Sequence, residues 1–143
     1  MIRFKSSINI SFFIIIIIFL FTKCGEEFGS SEFYINNQSD SNLYSIIIPL
    51  HGAADWDTLL ISSKSSVKIF TEGFISSVPP NPSESIDRII LYTSIDNSIN
   101  RKMVYLFYPV TNDRWETIEY NERKGGTRVV YELLIENSDL DLN

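Results

Sequence analysis

Short apolar segments separated by clusters of turn-forming residues run through the chain from about residue 32 to its end. The segments are rich in Ile, Tyr, Phe and Val, which suit pleated strands, and none has the 3.6-residue apolar period of a helix. Ala, the best helix former, occurs only at positions 53 and 54. Apolar segments at roughly 10–14-residue spacing are typical of an antiparallel β-sandwich or β-barrel. The sequence therefore predicts one all-β domain of about seven or eight strands over residues 32–143.

Turn chemistry sets the expected bounds of the strands. Three prolines within residues 73–85 exclude a helix interior and a central strand, so this segment is predicted as a loop or an edge crossing. Polar residues at 62–65 and 121–126 predict the tips of two hairpins. A short terminal helix over residues 132–142 is the alternative to the last strand. The predicted strands cover residues 32–36, 43–48, 55–61, 66–70, 86–92, 102–108, 114–120 and 128–136.

The first 23 residues have the layout of a secretory signal peptide. Arg3 and Lys5 lie in a start without acidic residues, and an apolar run over residues 12–21 follows them. A run of this length is too short to cross a hydrocarbon core of ~30 Å as a helix, which takes roughly 20 residues. A basic start followed by an apolar core of about 7–15 residues predicts export. Residues 1–23 are therefore predicted to be the signal peptide.

The single cysteine, Cys24, stands directly after this segment, in the stretch LFTKCG at residues 20–25. A lone cysteine provides neither a disulfide nor a zinc cluster, so its position is more informative than its redox chemistry. The arrangement resembles a bacterial lipoprotein signal. The resemblance implies that the Cys24 thiol carries diacylglycerol, that palmitate labels the protein, and that cleavage makes Cys24 the first residue. The alternative is an uncleaved anchor with an incidental thiol, since Lys23 stands where the family has a small residue.

Residues 24–31 are predicted to be a flexible acidic tether, because two glutamates stand among glycines and serines. Acidic residues just after the lipidated cysteine resemble the signals that send lipoproteins of Bacteroidota to the outer membrane surface. The stretches FYINNQS at 33–39, SIDRIILY at 85–92 and VYELLIENSD at 130–139 also resemble small lipoproteins of that group. The resemblance implies a membrane-anchored protein of the cell envelope with an all-β domain, and it implies no activity.

Acidic residues outnumber basic ones. The chain has a net charge of −6, with 18 Asp and Glu against 12 Lys and Arg. Without the three basic residues of the signal segment, 9 basic residues remain against the same 18 acidic ones. Nucleic-acid phosphates and anionic lipid headgroups repel such a chain. We therefore expect no nucleic-acid partner, and attachment to a membrane has to be covalent or hydrophobic.

Three polar side chains near residue 55 are the candidates for chemistry. His51 is the only histidine, and Asp55 and Asp57 fall on one face of a predicted strand. Paired carboxylates act as acid and base in glycoside hydrolysis, or bind Ca²⁺ together with carbonyl oxygens. No serine lies in the G-x-S-x-G pattern of hydrolases, and no calcium-binding loop surrounds the pair. We expect a loop histidine and solvated carboxylates, without a catalytic residue, metal or cofactor, and a small hydrolase is the least favoured alternative.

Aromatic side chains are the candidates for binding. Trp56, Trp115 and Tyr120 are candidate binding residues together with the two carboxylates. With Tyr105 and Tyr108 they can form an aromatic platform, because amphipathic rings suit sugar faces and protein interfaces alike. The alternative is that these rings fill the interior between short strands.

Export, an all-β domain and the lack of a catalytic pattern in the sequence together predict a lipid-anchored, non-catalytic module of the cell envelope. Such a module binds a protein or glycan partner, or supports an envelope assembly. The alternative is an immunity or inhibitor protein whose acidic surface meets a basic effector by electrostatic attraction.

Overall fold

A computed structural model describes residues 28–51, 58–75, 78–94, 100–123 and 126–142. Over these ranges the chain forms eight strands, one short α-helix and two single 3₁₀ turns, at Asn112–Arg114 and Asn137–Asp139. In chain order the strands and the helix are β1 (Phe28–Asn37), β2 (Leu43–Pro49), β3 (Leu59–Ile61), β4 (Ser65–Ile75), α1 (Pro82–Ser85), β5 (Ile86–Ser94), β6 (Arg101–Phe107), β7 (Trp115–Arg123) and β8 (Gly126–Ile135).

The strands form two four-stranded sheets. Sheet 1 has the order β4-β1-β8-β7, and sheet 2 has the order β3-β2-β5-β6. Neighbouring strands are antiparallel except for β1 and β8, which run parallel from the pair Gly29 and Thr127 to the pair Asn37 and Ile135. The all-β prediction is confirmed. Two separate sheets correspond to the sandwich-like alternative and not to a closed barrel.

One core joins the two sheets. The ring of Phe33 stacks on Tyr131 with 5.4 Å between centroids and meets Trp115 edge-on at 5.9 Å. Ile89 and Leu91 of β5 are fully buried in the same cluster from the side of sheet 2. Burial of each such side chain contributes roughly 1.5–3 kcal/mol. The buried members of this core are Phe33, Ile35, Leu43, Ile61, Ile86, Ile89, Leu91, Val104, Val110, Trp115, Val129, Tyr131, Leu133, Ile135 and Leu140.

Alternation along β1 and β8 decides which side chains enter the core. In β1, Phe33 and Ile35 are fully buried, whereas Glu32 and Tyr34 face outward. Strand β8 lies beside β1 in register, and its odd-numbered positions from 127 to 135 are buried as well. Successive side chains of a strand point to opposite faces, so sheet 1 has an inner face toward the core and an outer face.

The sandwich has two ends, which we call the α1 end and the Asn37 end. At the α1 end, Pro49 pairs with Ile86, and the Ser31 hydroxyl donates a hydrogen bond to the Pro80 carbonyl at 3.3 Å. Strands β1 and β5 begin at this end, and β2 finishes there. At the Asn37 end, the buried amide of Asn37 donates to carbonyl oxygens of the β1–β2 turn and of the segment around the end of β3. Each end therefore ties sheet 1 to sheet 2.

The hairpin predicted around residues 62–65 is wrong. Strand β3 pairs with β2 in sheet 2, whereas β4 pairs with β1 in sheet 1. Residues 62–64 therefore carry the chain from one sheet to the other. Lys64 has a positive φ of 57°, and its ammonium group donates to the Gln38 carbonyl at 2.6 Å and pairs with Asp40 at 2.8 Å. A polar turn marks where a strand ends, but it does not specify which strand the next one joins.

The hairpin predicted from residues 114–120 and 128–136 is confirmed by the antiparallel pairing of β7 with β8. Both strands reach further into the predicted turn than expected, β7 to Arg123 and β8 from Gly126. Residues 132–135 are strand, so the alternative of a terminal helix is wrong for them.

Two predicted boundaries are corrected. Strand β1 begins at Phe28, so residues 28–31 belong to the sheet and not to the tether. Within the segment predicted as a loop or edge crossing, β4 continues to Ile75 at the edge of sheet 1. Pro82 opens α1 as its first residue, where a missing N–H costs no intrahelical hydrogen bond.

Candidate binding surface

Four predicted site residues lie outside the described ranges: Cys24, Asp55, Trp56 and Asp57. The signal segment lies outside them as well. The roles predicted for these residues therefore stay predictions. His51 lies in the described part and is exposed, directly after β2.

Trp115 belongs to the core and not to a binding surface. Trp115 is only 8% exposed, and its ring packs edge-on against Phe33. The indole nitrogen is buried without a hydrogen-bond acceptor, so it does not reach a ligand either. Tyr120, further along β7, is 55% exposed. The binding role predicted for Trp115 is therefore corrected to a packing role, which the sequence left as the alternative.

The other tyrosines of the predicted aromatic platform lie apart from Tyr120. Tyr105 of β6 packs against the core and contacts Phe107, with 6.3 Å between ring centroids. Burial raises the pKa of the Tyr105 hydroxyl. Tyr108 is exposed just after β6 in sheet 2, whereas Tyr120 belongs to sheet 1. The described residues therefore do not form the predicted platform.

A charge network covers the outer face of sheet 1. Arg128 of β8 donates to Glu32 of β1 from Nε at 2.9 Å and from Nη2 at 3.1 Å. Its Nη1 donates to Glu119 of β7 at 2.8 Å. The Tyr34 hydroxyl donates to Glu32 at 3.1 Å, and Lys68 of β4 lies 3.8 Å from the same carboxylate. The network therefore links all four strands of sheet 1.

The hydrogen bonds of this network shift the pKa values of its members. The hydrogen bonds from Arg128 lower the pKa of Glu32 below its ordinary value of 4.5 and raise the pKa of Arg128. Desolvation and the hydrogen bond to Glu32 raise the pKa of Tyr34. These charges are satisfied within the sheet, which favours a structural role for the outer face of sheet 1.

The outer face of sheet 2 is apolar instead. Strand pairing places Tyr92 of β5 between Tyr44 of β2 and Met103 of β6. A second row has Ile90 at its centre and also crosses β2, β5 and β6. The side chains of these rows lie outside the core cluster. We call this surface the apolar face, and its members are Tyr44, Ile46, Ile48, Leu60, Ile90, Tyr92, Met103 and Leu106.

The apolar face is accessible at its margins. Leu60, Met103 and Leu106 are 47%, 49% and 51% exposed, respectively. Isolated exposed apolar side chains are ordinary on a protein surface, but a contiguous set across several strands marks an interaction site. The apolar face therefore has the main property of a binding surface.

Two arginines flank the apolar face. The guanidinium carbon of Arg101 lies 4.2 Å from the ring centroid of Tyr44, and that of Arg88 lies 4.3 Å from the centroid of Tyr108. Asp87 lies 3.7 Å from Arg88. The eight residues of the apolar face itself include no carboxylate. Each arginine is held over a ring, where cation–π attraction is worth about 0.5–1 kcal/mol at an exposed site.

This combination matches the central part of protein–protein interfaces. Such interfaces are enriched in Tyr, Met and Arg and depleted in Lys, Asp and Glu. A sugar-binding surface instead needs free ring faces, and Arg101 already covers one face of Tyr44. The arrangement therefore suits an apolar protein surface better than a glycan.

The described residues offer few other candidates. A shallow depression of about 320 Å³ lies at the α1 end, between the starts of β1 and β8. Within the described ranges, no three His, Cys, Asp or Glu side chains are placed to share a metal ion. In the same part of the chain, no helix has the length and apolar character needed to span a membrane.

Comparison with protein-family models, with curated proteins and with solved structures found no match to this chain.

Sequence reasoning did not predict the apolar face, although the sequence contains a signal for it. Residues 46–48 of β2 and 89–91 of β5 are apolar at consecutive positions. A strand with one solvated face alternates between apolar and polar residues, so an unbroken apolar run indicates apolar side chains on both faces. In a two-layer fold, only one of those faces belongs to the core. The other face then lies on the outside, where it can bind a partner.

Proposed function

We propose that the chain is an exported, lipid-anchored protein of the cell envelope whose β domain is a non-catalytic, protein-binding module. The apolar face carries this proposal, because contiguous apolar side chains on the outside of a sheet are stabilised by a partner. The anchor part rests on Cys24 and on the apolar run before it. The domain begins at Phe28, so three residues separate it from Cys24.

The partner's chemistry follows from the charges around the apolar face. Arg88 and Arg101 border it, and both guanidinium groups are already positioned over tyrosine rings. A complementary surface has an apolar centre bordered by carboxylates. The sequence-based alternative of a basic effector is not favoured at this surface, because the guanidinium groups of Arg88 and Arg101 at its border repel basic side chains.

Lipid attachment is tested by metabolic labelling with radioactive palmitate. The wild-type chain is expected to incorporate palmitate, and Cys24→Ala is expected to abolish the incorporation. A Cys24→Ala variant that is still labelled, or an unlabelled wild-type protein, would contradict the anchor.

The binding surface is tested by site-specific photo-crosslinking in intact envelopes. A photoreactive residue in place of Leu106 is expected to give an adduct with another protein, whereas one in place of Leu134 on the outer face of sheet 1 is not. Leu134 is a suitable control because it is 41% exposed, compared with 51% for Leu106. The Leu106 adduct should fall about tenfold when Arg101→Glu reverses the charge at the border, since like charges repel across an interface.

Three outcomes contradict the proposed surface. Equal adducts from both positions would show no preference for the apolar face. An adduct of twice the chain's own mass would identify a second copy as the occupant. An adduct that is unaffected by Arg101→Glu would remove the argument from charge.

A further inference from the structure

The α1 end of the sandwich concentrates the most exposed apolar side chains. Among the large apolar side chains that the structure describes, Val78, Ile75 and Phe28 are the three most exposed, at 70%, 62% and 58%. Phe28 and Ile75 are directly paired in β1 and β4, and Val78 follows Ile75 by three residues. Leu50, just after β2, adds a fourth side chain at 44% exposure. We call these four residues the apolar tip.

The opposite end of the sandwich is polar. Asp40 and Lys64 form an exposed ion pair there at 2.8 Å, and Asn137 donates to Asp40 at 2.7 Å. The domain is therefore polarised along its length, with apolar side chains at one end and paired charges at the other.

The apolar tip lies where the anchor enters the domain. Three residues separate Cys24 from Phe28, and an extended chain spans at most about 3.6 Å per residue. The start of β1 therefore lies within about 14 Å of the Cys24 α-carbon, however the intervening residues are arranged. A lipidated Cys24 is held at the headgroup level of the membrane, so Phe28 and its paired residue Ile75 are kept close to the same region.

We propose that the apolar tip rests in the membrane interface and holds the domain upright on the lipid surface. This inference depends on the proposed lipid anchor. Apolar and aromatic side chains are stable at the boundary between headgroups and acyl chains, and their contact with it is hydrophobic. The contact therefore does not require anionic lipids, which the acidic chain would repel. In this orientation the apolar face stands along the membrane normal and stays open to a partner.

The test uses the full, lipidated chain reconstituted in phosphatidylcholine vesicles. The lipid occupies the Cys24 thiol, so a cysteine introduced elsewhere is the single free thiol and takes an environment-sensitive fluorophore. Ile75→Cys and Val78→Cys are the test positions, and Asp40→Cys at the Asn37 end is the control, because the Asp40 side chain is 73% exposed. Labels at the two test positions should shift to shorter emission wavelengths and be quenched at least about threefold more by brominated lipids than the control label.

The outcomes separate this inference from the anchor itself. The inference is overturned if the labels at all three positions keep the emission wavelength of a label in water and are not quenched by brominated lipids, even when palmitate is incorporated. A blue shift that brominated lipids do not quench and that grows with protein density indicates a second copy and also overturns it. An unlipidated chain is recognised independently, because the fluorophore then reacts with Cys24 in the wild-type protein. The double variant Phe28→Ser/Ile75→Ser should keep its palmitate and lose the quenching of a label at Val78→Cys.

Discussion

Asn37 is the residue on which the polar end of the sandwich depends. It is fully buried, and its Nδ2 donates to the carbonyls of Ser41 at 2.9 Å, Ile61 at 3.2 Å and Ser62 at 3.1 Å. Its Oδ1 accepts from the Ser39 hydroxyl at 2.6 Å. These bonds join the end of β1 to the segment that crosses between the sheets.

We expect Asn37→Ala to lower the free energy of unfolding by about 2–4 kcal/mol, because it removes the hydrogen bonds that this buried amide makes to three carbonyl oxygens and to Ser39. The neighbouring Asn36 faces outward, so Asn36→Ala should cost less than about 1 kcal/mol. Urea denaturation of the two variants measures the difference. Equal losses would show that the buried amide has no special role.

Glu32 couples stability to pH. Its pKa is lowered chiefly by hydrogen bonds from Arg128, so the unfolded chain binds more protons than the folded chain below pH 4.5. The stabilisation is fully present above that pH and is lost as the pH falls through the lowered pKa of the folded state. The urea midpoint should therefore fall on acidification, and Glu32→Gln should flatten this dependence. The exposed Glu116 of the same sheet provides the comparison variant, because Glu116→Gln removes a carboxylate and leaves the hydrogen bonds of Arg128 to Glu32 and Glu119 in place.

At the scale of elements, β8 connects the two halves of sheet 1, because it pairs with β1 on one side and β7 on the other. Its consecutive residues Leu133 and Leu134 face opposite sides, the first fully buried and the second 41% exposed. Leu133→Ala should lower the free energy of unfolding by about 2–5 kcal/mol, and Leu134→Ala by less than about 1 kcal/mol. Chemical denaturation measures both. Similar losses would show that the alternation of β8 does not decide its packing.

The strands themselves were largely predictable, and their pairing was not. Alternation and turn residues located most strand segments and the β7–β8 hairpin, because both signals are local. The parallel pairing of β1 with β8 joins residues almost a hundred positions apart, such as Phe33 and Tyr131. Residues 62–64 have the polar composition of a hairpin turn. The strands on either side of them, β3 and β4, nevertheless pair with β2 and β1 and not with each other, which the local sequence does not reveal.

The candidate surface was less predictable than the fold. Tryptophan is a residue type that is common at binding surfaces. The exposure of Trp115, however, depends on its packing against Phe33 and on the opposite sheet, and no local sequence pattern reveals that packing. The apolar face depends on β2, β5 and β6 lying side by side. Consecutive isoleucines at positions 46–48 indicate that β2 is apolar on both sides, but only the pairing shows which other side chains join that surface.

At the scale of the whole molecule, the surfaces of the domain differ in the kind of side chain that they expose. Sheet 1 presents paired charges outward, sheet 2 presents the apolar face, and the α1 end carries the apolar tip. A domain held by its tip at a lipid surface exposes both outer faces to the surroundings, and the apolar face is the one that gains from being covered. The proposed anchor, orientation and binding surface are therefore compatible with one another.

The common core predicts that the two sheets unfold together. With Trp56 replaced by Phe, Trp115 is the single tryptophan and reports on sheet 1. Leu91 lies in sheet 2 and belongs to the same buried cluster, so Leu91→Ala should destabilise the domain by about 2–5 kcal/mol. The Trp115 fluorescence transition should shift as far as the transition in far-ultraviolet circular dichroism, because both probes follow one cooperative unit. If Leu91→Ala moved the circular dichroism transition and left the fluorescence transition in place, the sheets would be separate units, and the face-to-face core would not be what stabilises the fold.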